Sequence, residues 1–245
     1  MIKINFEEIT KIKVDCVIGF GLTCKVAENL KNNKLRFFSS PFDYVGYYTF
    51  DEAINLLKNH GTTFFSDYVL DSNYDTETTF GLYDRKTGMV SKHDFQKILP
   101  KQINHVLFRD KYKRRFNRLD KILKDAENIC FISQRQTNTK EIESFIEKIL
   151  QIYNFNQLYY INIYDYEDNK IDEKVIKTKR NNITILEYFF NDEHPNGRDK
   201  NKNPDYWLGN INYWNKILSK ISLKEDFVKK HIENKKTNLP SEKQK

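Results

Sequence analysis

Short apolar segments alternate along this chain with amphipathic segments of helical period, and this alternation constrains the fold more than any other feature. The apolar segments are rich in β-branched and aromatic residues, as buried strands are; they are Val14–Phe20, Asn128–Arg135, Gln157–Tyr164 and Asn182–Phe189. The helical segments are Cys24–Asn32, Asp51–Asn59, Lys140–Tyr153 and Asn210–Ile221. Strands separated by helices predict an α/β fold, with a parallel or mixed sheet flanked by helices in three layers.

The alternation continues through most of the chain, which predicts a single α/β domain over residues 1–233. The length of 245 residues and the hydrophobic fraction of 39% are sufficient for one large core. The segment 234–245 has no apolar face, and we predict that it is a disordered tail. Tyr68–Gly88 is polar and rich in turn residues, which predicts a long loop with a hairpin at the sequence RKTG.

Several classes of protein are disfavoured by the composition. No apolar run approaches the roughly 18 residues of a membrane span, and the first residues lack the apolar core of a signal peptide. We therefore expect a cytoplasmic protein without a transmembrane segment. The three cysteines have no CxxC spacing, and no HExxH motif occurs, so we expect no disulfide framework, metal or cofactor. The sequence makes no prediction of the oligomeric state.

The positive charge is concentrated in one predicted helix. Ten Lys and Arg residues face only two acidic residues between Lys97 and Lys124, an excess of eight, whereas the whole chain has a net charge of +7. The apolar residues of this helix recur at 4-3-4-3 spacing; they are Tyr112, Phe116, Leu119, Leu123 and Ala126. A local basic patch favours a phosphorylated ligand over a long nucleic-acid track, and a solvated helix face is the alternative.

A cysteine follows the first predicted strand at a turn that contains two glycines. Thr23 is a candidate N-cap, which would place Cys24 in the first turn of a helix. The partial positive charge and free N–H groups of a helix N-terminus stabilise a thiolate, and they can also receive the oxyanion of an acyl-transfer intermediate. The simpler interpretation is a packed thiol. Cys16 and Cys130 lie inside apolar runs, and we expect both to be structural.

A nucleophilic cysteine needs a base, which is most often histidine. His93 lies in the sequence SKHDF, with Asp94 beside it, between a polar segment and the basic helix. His194 follows a predicted strand, where the sites of α/β proteins gather. The chemistry of the two histidines leaves the choice open.

Several short motifs in the first part of the chain occur together in one known family. They are Gly21 and Cys24, Leu35-Arg36, Ser39 with Pro41-Phe42-Asp43-Tyr44, His93-Asp94-Phe95, and the arginines Arg114, Arg115 and Arg118. In this order they resemble the putative papain-like cysteine peptidase family of bacteria and large viruses, which is often associated with surface-polysaccharide loci. The family usually has Trp where this chain has Tyr44. The resemblance covers about the first 135 residues well and the remainder loosely.

The resemblance implies that Cys24 is the nucleophile and His93 its base. For the third member of the site, Asp43 and Asp94 both remain eligible, and Asp43 is preferred because it belongs to the first block of motifs. The resemblance also implies a helical part and an antiparallel part, whereas the periodicity predicts a β-α-β pattern.

The basic helix adds a candidate binding site. Arg114, Arg115 and Arg118 lie three and four residues apart, a spacing at which guanidinium groups can grip a phosphate together, and Arg36 can join them from another element. Salt bridges on a solvated face are the alternative.

These patterns favour a cysteine-dependent enzyme that acts by covalent acyl transfer, as a peptidase-like hydrolase or an acyltransferase of surface-polysaccharide biosynthesis. The expected partner is a phosphorylated small molecule or glycan precursor. The alternative is a sugar or phospho-sugar transferase that binds a diphosphate through the arginines. A nucleic-acid-binding module is disfavoured, because the aromatic residues of the basic helix have the spacing of a core.

Overall fold

A computed structural model describes residues 1–166 and 173–237 of the chain. Within these residues there are six α-helices: α1 (Lys25–Asn32), α2 (Phe50–Lys58), α3 (Lys101–Asp125), α4 (Thr139–Leu150), α5 (Ile211–Leu218) and α6 (Glu225–Thr237). The same residues contain twelve strands: β1 (Ile2–Ile4), β2 (Ile12–Val14), β3 (Cys16–Gly19), β4 (Val45–Gly46), β5 (Tyr68–Leu70), β6 (Thr79–Asp84), β7 (Val90–Gln96), β8 (Asn128–Gln134), β9 (Gln157–Tyr166), β10 (Lys174–Arg180), β11 (Ile183–Asn191) and β12 (Ile221–Leu223). Each of the eight segments predicted above as strand or helix overlaps one of these elements.

A six-stranded mixed sheet forms the centre of the fold. Its strand order is β1-β10-β11-β9-β8-β3. The four strands β3, β8, β9 and β11 run parallel to their neighbours, and β10 and β1 continue the sheet in antiparallel pairs. The four parallel strands are the four that the sequence predicted, because strands buried on both faces have the most continuous apolar sequence.

Helices cover both faces of this sheet. Alternate side chains of the parallel strands pack against α2, α3 and α4 on one face, among them Ile18, Phe131, Tyr160 and Ile185. The intervening side chains pack against α1 and α5 on the other face, among them Val17, Ile132, Ile161 and Leu186. This alternation follows from the two-residue period of a strand. The predicted three-layer α/β architecture is confirmed.

A second sheet has four short antiparallel strands in the order β4-β7-β6-β5. Its strands β5 and β6 take up nine of the 21 residues of Tyr68–Gly88, so the prediction of a long loop there was wrong, although the hairpin at the RKTG sequence does join β6 to β7. The strands escaped prediction because Gly81 and the surrounding threonines and aspartates have the composition of turns. A Cβ atom at Gly81 would lie 2.5 Å from the Tyr74 side chain, so glycine is needed for close packing rather than for a turn.

The basic helix α3 packs as predicted, with its apolar stripe from Tyr112 to Leu123 buried. At the end of the chain α6 extends to Thr237, and the remainder of the predicted tail, 238–245, lies outside the described residues. Among the helices that the structure describes, none is both long enough and apolar enough to cross a bilayer.

Candidate functional site

Cys24 lies where the chain turns from β3 into α1. It is the N-cap residue of α1, a position that the sequence predicted for Thr23, and its carbonyl accepts the first helical hydrogen bond from the Glu28 N–H at 3.0 Å. The Thr23 hydroxyl accepts a hydrogen bond from the Lys25 N–H at 3.3 Å. The cysteine therefore stands beside the free N–H groups at the start of a helix.

This turn lies at the edge of the sheet where α/β proteins bind ligands. The strands β3 and β8 are parallel neighbours, but the helices that follow them, α1 and α4, cover opposite faces. The loops after such a pair of strands leave a crevice between them at the carboxyl ends of the strands. Cys24 lies on one of these two loops.

A small cavity of about 90 Å³ opens at Cys24. It is lined by three separate segments: the turn before α1, the chain around β4, and strand β7; the lining residues are Leu22, Thr23, Cys24, Tyr44, Val45, Gly46, Tyr47, Val90, Lys92 and His93. Cys24 and His93, which are 69 positions apart in the sequence, thus face the same space. An imidazole can take the proton of a thiol only where the two groups face the same space.

Two backbone features hold the walls of this cavity close together. A Cβ atom at Gly46 would lie only 2.9 Å from the Leu22 carbonyl oxygen, so glycine in β4 allows the turn before Cys24 to pack against it. Tyr47 has a φ of 62°, in the left-handed region that non-glycine residues rarely adopt. Strained residues of this kind cluster at functional sites.

Burial governs the protonation of Cys24. Loss of solvent raises the pKa of the Cys24 thiol, and this outweighs the opposing effects of its backbone hydrogen bond and of the nearby Lys92 and Lys25. The direction is opposite to the one that a helix N-terminus alone would give. Cys16 and Cys130 are fully buried and burial raises their pKa as well, so Cys24 is the one partly exposed thiol of the three.

Burial also governs His93. It lowers the pKa of the imidazole, and Lys111 and Lys92 lower it further, while Asp94 has the opposite effect. The neutral ring, which is the form that can accept a proton, is therefore favoured near neutrality. No hydrogen bond joins the Cys24 Sγ to the His93 ring within the described part of the chain.

Asp94 does not orient His93. Neighbouring side chains of a strand point to opposite faces, and the Asp94 carboxylate turns inward to accept hydrogen bonds from Ser91, Tyr112 and Lys111. The distance from the Tyr112 hydroxyl to Asp94 Oδ2 is 2.9 Å. These contacts attach β7 to α3.

His194, the other histidine that the sequence left open, lies elsewhere. It is buried in the loop after β11, where its Nδ1 is 2.8 Å from the Asn203 Nδ2 and 3.1 Å from the Asn196 N–H. Two strands, β8 and β9, separate β11 from β3 in the sheet. The structure thus brings His93, and not His194, into the walls of the cavity that Cys24 lines.

Asp43 belongs to a buried network rather than to the cavity wall. Its Oδ2 accepts hydrogen bonds from the Arg36 Nε and the Ser40 N–H, both at 2.8 Å. Arg36 in turn donates to the Tyr44 hydroxyl at 3.2 Å and to the Ser39 hydroxyl at 3.0 Å. The guanidinium of Arg36 is therefore engaged within the protein.

Tyr44 connects this network to the cavity. Its hydroxyl donates to Glu28 Oε1 at 2.6 Å, and Glu28 lies one helical turn after Cys24. The ring of Tyr44 meets the ring of His93 edge-on, with 5.9 Å between their centroids. One side chain thus contacts both the helix of the cysteine and the strand of the histidine.

Arg114 and Arg115 lie close enough to Arg118 in α3 to affect it electrostatically. Burial lowers the pKa of Arg118, and the positive charges of Arg115 and Arg114 lower it further. Arg115 Nη1 is buried without a hydrogen-bond partner in the described residues. The guanidinium carbon of Arg115 lies 5.2 Å from the centroid of the Tyr112 ring. Arg115 also influences the buried Asp43 electrostatically.

A larger cavity of about 370 Å³ lies next to the cysteine turn. Leu22 lines both this cavity and the smaller one at Cys24. Arg135, at the end of β8, forms part of its wall and donates to the Phe20 carbonyl at 2.9 Å and to the Tyr48 carbonyl at 2.7 Å. Its Nη2 has no hydrogen-bond partner in the part of the chain that the structure describes.

Comparison with family models matches residues 15–158, more than half of the chain, to a family described as putative papain-like cysteine peptidase. The chain belongs to this family. Comparisons with curated proteins and with solved structures give no match. The matched region of this papain-like peptidase family member includes β3, β7 and α3, and so contains both Cys24 and His93.

A buried carboxylate outside the matched region supports the turn that carries Cys24. Asp192 accepts hydrogen bonds from Lys25 Nζ at 2.9 Å, Gln134 Nε2 at 2.7 Å and Trp214 Nε1 at 2.9 Å. Sequence reasoning gave this residue no role at the cysteine turn, and it missed Glu28 and Lys92. Glu28 could have been found, because it lies four residues after Cys24 and therefore on the same helix face.

Proposed function

We propose that this family member is a cysteine-dependent enzyme in which Cys24 and His93 carry out covalent acyl transfer. The observation that supports the proposal best is that the partly exposed thiol and a neutral imidazole, contributed by different sheets, line one cavity. A thiol without such a base is a weak nucleophile at neutral pH.

The reaction begins with both groups neutral. The Cys24 sulfur attacks a substrate carbonyl carbon and a C–S bond forms, while the thiol proton passes to the His93 ring. The free N–H groups at the start of α1 receive the negative charge of the carbonyl oxygen. The bond to the leaving group then breaks, and the imidazolium returns its proton to that group. Attack by water or by another hydroxyl on the thioester releases the acyl group.

Asp43 acts in this proposal as a positioning residue and not as a group that touches substrate. Asp43 holds the Arg36 guanidinium in place. Arg36 and Glu28 in turn hold the Tyr44 hydroxyl, and the Tyr44 ring limits the rotation of the His93 ring. A third member that orients the base is the usual requirement of such sites.

The arginines suggest the class of substrate. Burial and the positive charges of Arg115 and Arg114 lower the pKa of Arg118, so a bound anion would relieve the repulsion, and phosphate matches the forked geometry of guanidinium groups. We therefore propose that Arg114, Arg115 and Arg118 bind a phosphorylated small molecule or glycan precursor, as acyl donor or acceptor. Arg36 remains a candidate only if it exchanges its contact with Asp43 for the substrate. A role in surface-polysaccharide biosynthesis would fit such a substrate.

Stopped-flow measurements with p-nitrophenyl acetate test the proposal. We expect a burst of one nitrophenolate per protein and an acetyl group on Cys24, identified by peptide mass spectrometry. His93→Ala should slow the burst by roughly 100-fold or more, the range of general-base catalysis. His194→Ala is the matched control, and it should leave the burst unchanged in variants that retain the native circular dichroism spectrum. Acetylation that is equally slow at all three cysteines would refute the proposal.

A second candidate is a sugar or phospho-sugar transferase that holds a diphosphate with the arginines and does not use the thiol. The unpartnered Nη1 of Arg115 favours it. Activity toward a phosphorylated sugar donor that survives in Cys24→Ser and is lost in Arg114→Ala/Arg118→Ala would select this candidate. Loss in both variants would select the cysteine enzyme.

A further inference from the structure

The start of α3 carries an apolar surface that the proposed chemistry does not use. Four aliphatic side chains within ten residues are exposed: Ile98 by 86%, Ile103 by 49%, Val106 by 56% and Leu107 by 53%. The last three are spaced at i, i+3 and i+4 and so share one helix face. A neighbouring face of the same turns packs into the core through Asn104 and Phe108.

Positive charge lies at both ends of this apolar face. Lys101 and Lys113 lie near its two ends, and neither forms an ion pair within the described part of the chain. The N-terminus of the 25-residue helix contributes a further partial positive charge at Pro100. Asp110, one turn after Val106, is the single acidic residue between Lys97 and Lys113.

We propose that this surface, consisting of Ile98, Ile103, Val106 and Leu107 with Lys101 and Lys113, docks the protein on an anionic membrane surface. An exposed apolar helix face bordered by lysines is the pattern of helices that lie in the lipid interface. The aliphatic side chains enter the boundary of the acyl chains, and the lysines meet the anionic headgroups.

The charges argue against the other occupants of such a face. A second copy of the chain would bring together two regions that each have an excess of eight positive charges between Lys97 and Lys124. A protein partner is usually bound through aromatic and arginine anchors in a concave surface, whereas these four residues are aliphatic and lie on a turn and a helix face. A fluid bilayer requires no such complementary shape.

Vesicle co-sedimentation tests the proposal. At low salt, we expect the full-length protein to bind vesicles of phosphatidylcholine with about 30% phosphatidylglycerol at least tenfold more strongly than vesicles of phosphatidylcholine alone. Val106→Gln/Leu107→Gln should reduce this binding by about tenfold, because the apolar contribution is lost without a change in charge. Lys101→Gln/Lys113→Gln should reduce it by a similar factor and weaken its dependence on salt.

Ile232→Gln is the matched control, since Ile232 is another exposed aliphatic residue of a helix and should leave binding unchanged. Equal binding of wild type and Val106→Gln/Leu107→Gln would overturn the proposal, as would a wild-type protein that remains in the supernatant. Sedimentation velocity without lipid would show a dimer if a second copy covers the face, and a dimer that Val106→Gln/Leu107→Gln abolishes would also overturn it. Acetylation of Cys24 is measured separately and does not depend on any of these outcomes.

Discussion

Cys24 and His93 come from two sheets that are built differently. Cys24 follows β3, a buried parallel strand with helices on both sides, and it lies at a helix N-terminus. His93 lies within β7 of the four-stranded antiparallel sheet, whose strand β4 has only two residues. The position of the sulfur is thus fixed by the main core, whereas that of the ring depends on a short strand pairing and on Tyr44.

The two sheets also differ in how polar contacts secure them. The turn after β3 is attached to the loop after β11 by the buried Asp192, which accepts from Lys25 Nζ and also from the Asn210 N–H at 2.8 Å. In the small sheet the buried Asp94 attaches β7 to α3, whereas the ends of β5 and β6 are joined by the exposed Asp67–Arg85 pair. A buried carboxylate with several donors contributes far more to stability than an exposed ion pair. We therefore expect the turn that carries the sulfur to be held more rigidly than the β5–β6 edge of the small sheet.

The largest expected effect is that of Asp192→Ala. The change leaves Lys25, Gln134 and Trp214 without their acceptor in a buried place, and we expect the free energy of unfolding to fall by about 3–5 kcal/mol. Urea denaturation followed by circular dichroism measures it. Asp67→Ala is the matched variant of the small sheet and should cost less than about 1 kcal/mol. Similar losses in the two variants would contradict the difference in rigidity between the turn after β3 and the β5–β6 edge of the small sheet.

The same contrast explains which parts of the fold the sequence predicted. Val14–Phe20 and Asn128–Arg135 are buried on both faces, so their composition alone identifies them as strands. The strand β10 was missed because its sequence KVIKTKR is largely charged, and it is recognisable only from its pairing with β11. The β5–β6 hairpin was missed for a similar reason, since its strands are short and their glycine and aspartate residues are typical of turns.

The site was predictable to the extent that it depends on local sequence. A cysteine after a strand and glycines indicates a helix N-terminus, and the family motifs then indicate His93 in preference to His194. The partners of Asp43 and Asp94 were not predictable, because the pairing of a carboxylate depends on elements that are distant in the sequence. The direction of the Cys24 pKa was missed for a related reason: the helix terminus is visible in the sequence, but the burial that outweighs it is not.

The next prediction uses the opposite shifts of the two groups. Because the pKa of His93 is lowered from its ordinary value of about 6.5, the ring is still mostly neutral at that pH, and the acetylation rate should fall only at lower pH, by about tenfold per unit. Because the pKa of the Cys24 thiol is raised, its rate of alkylation by iodoacetamide should still increase above about pH 8.5. Acetylation and alkylation rates measured at each cysteine by mass spectrometry across pH check both expectations. An alkylation rate that levels off below pH 8 would instead indicate a stable thiolate–imidazolium pair.

The smallest expected effect concerns the link between the two sheets. Tyr44→Phe removes the hydroxyl that joins Glu28 and Arg36 but keeps the ring against His93, and we expect a loss of about 1 kcal/mol in stability. The burst rate should fall only a few-fold, since the ring still limits the imidazole, whereas Tyr44→Ala should lower it further. Tyr47→Phe is the matched control, because Tyr47 lines the same cavity with its side chain exposed. If Tyr44→Ala changed stability but left the burst rate intact, Tyr44 would support the fold alone, and the ring of His93 would be held by β7 itself.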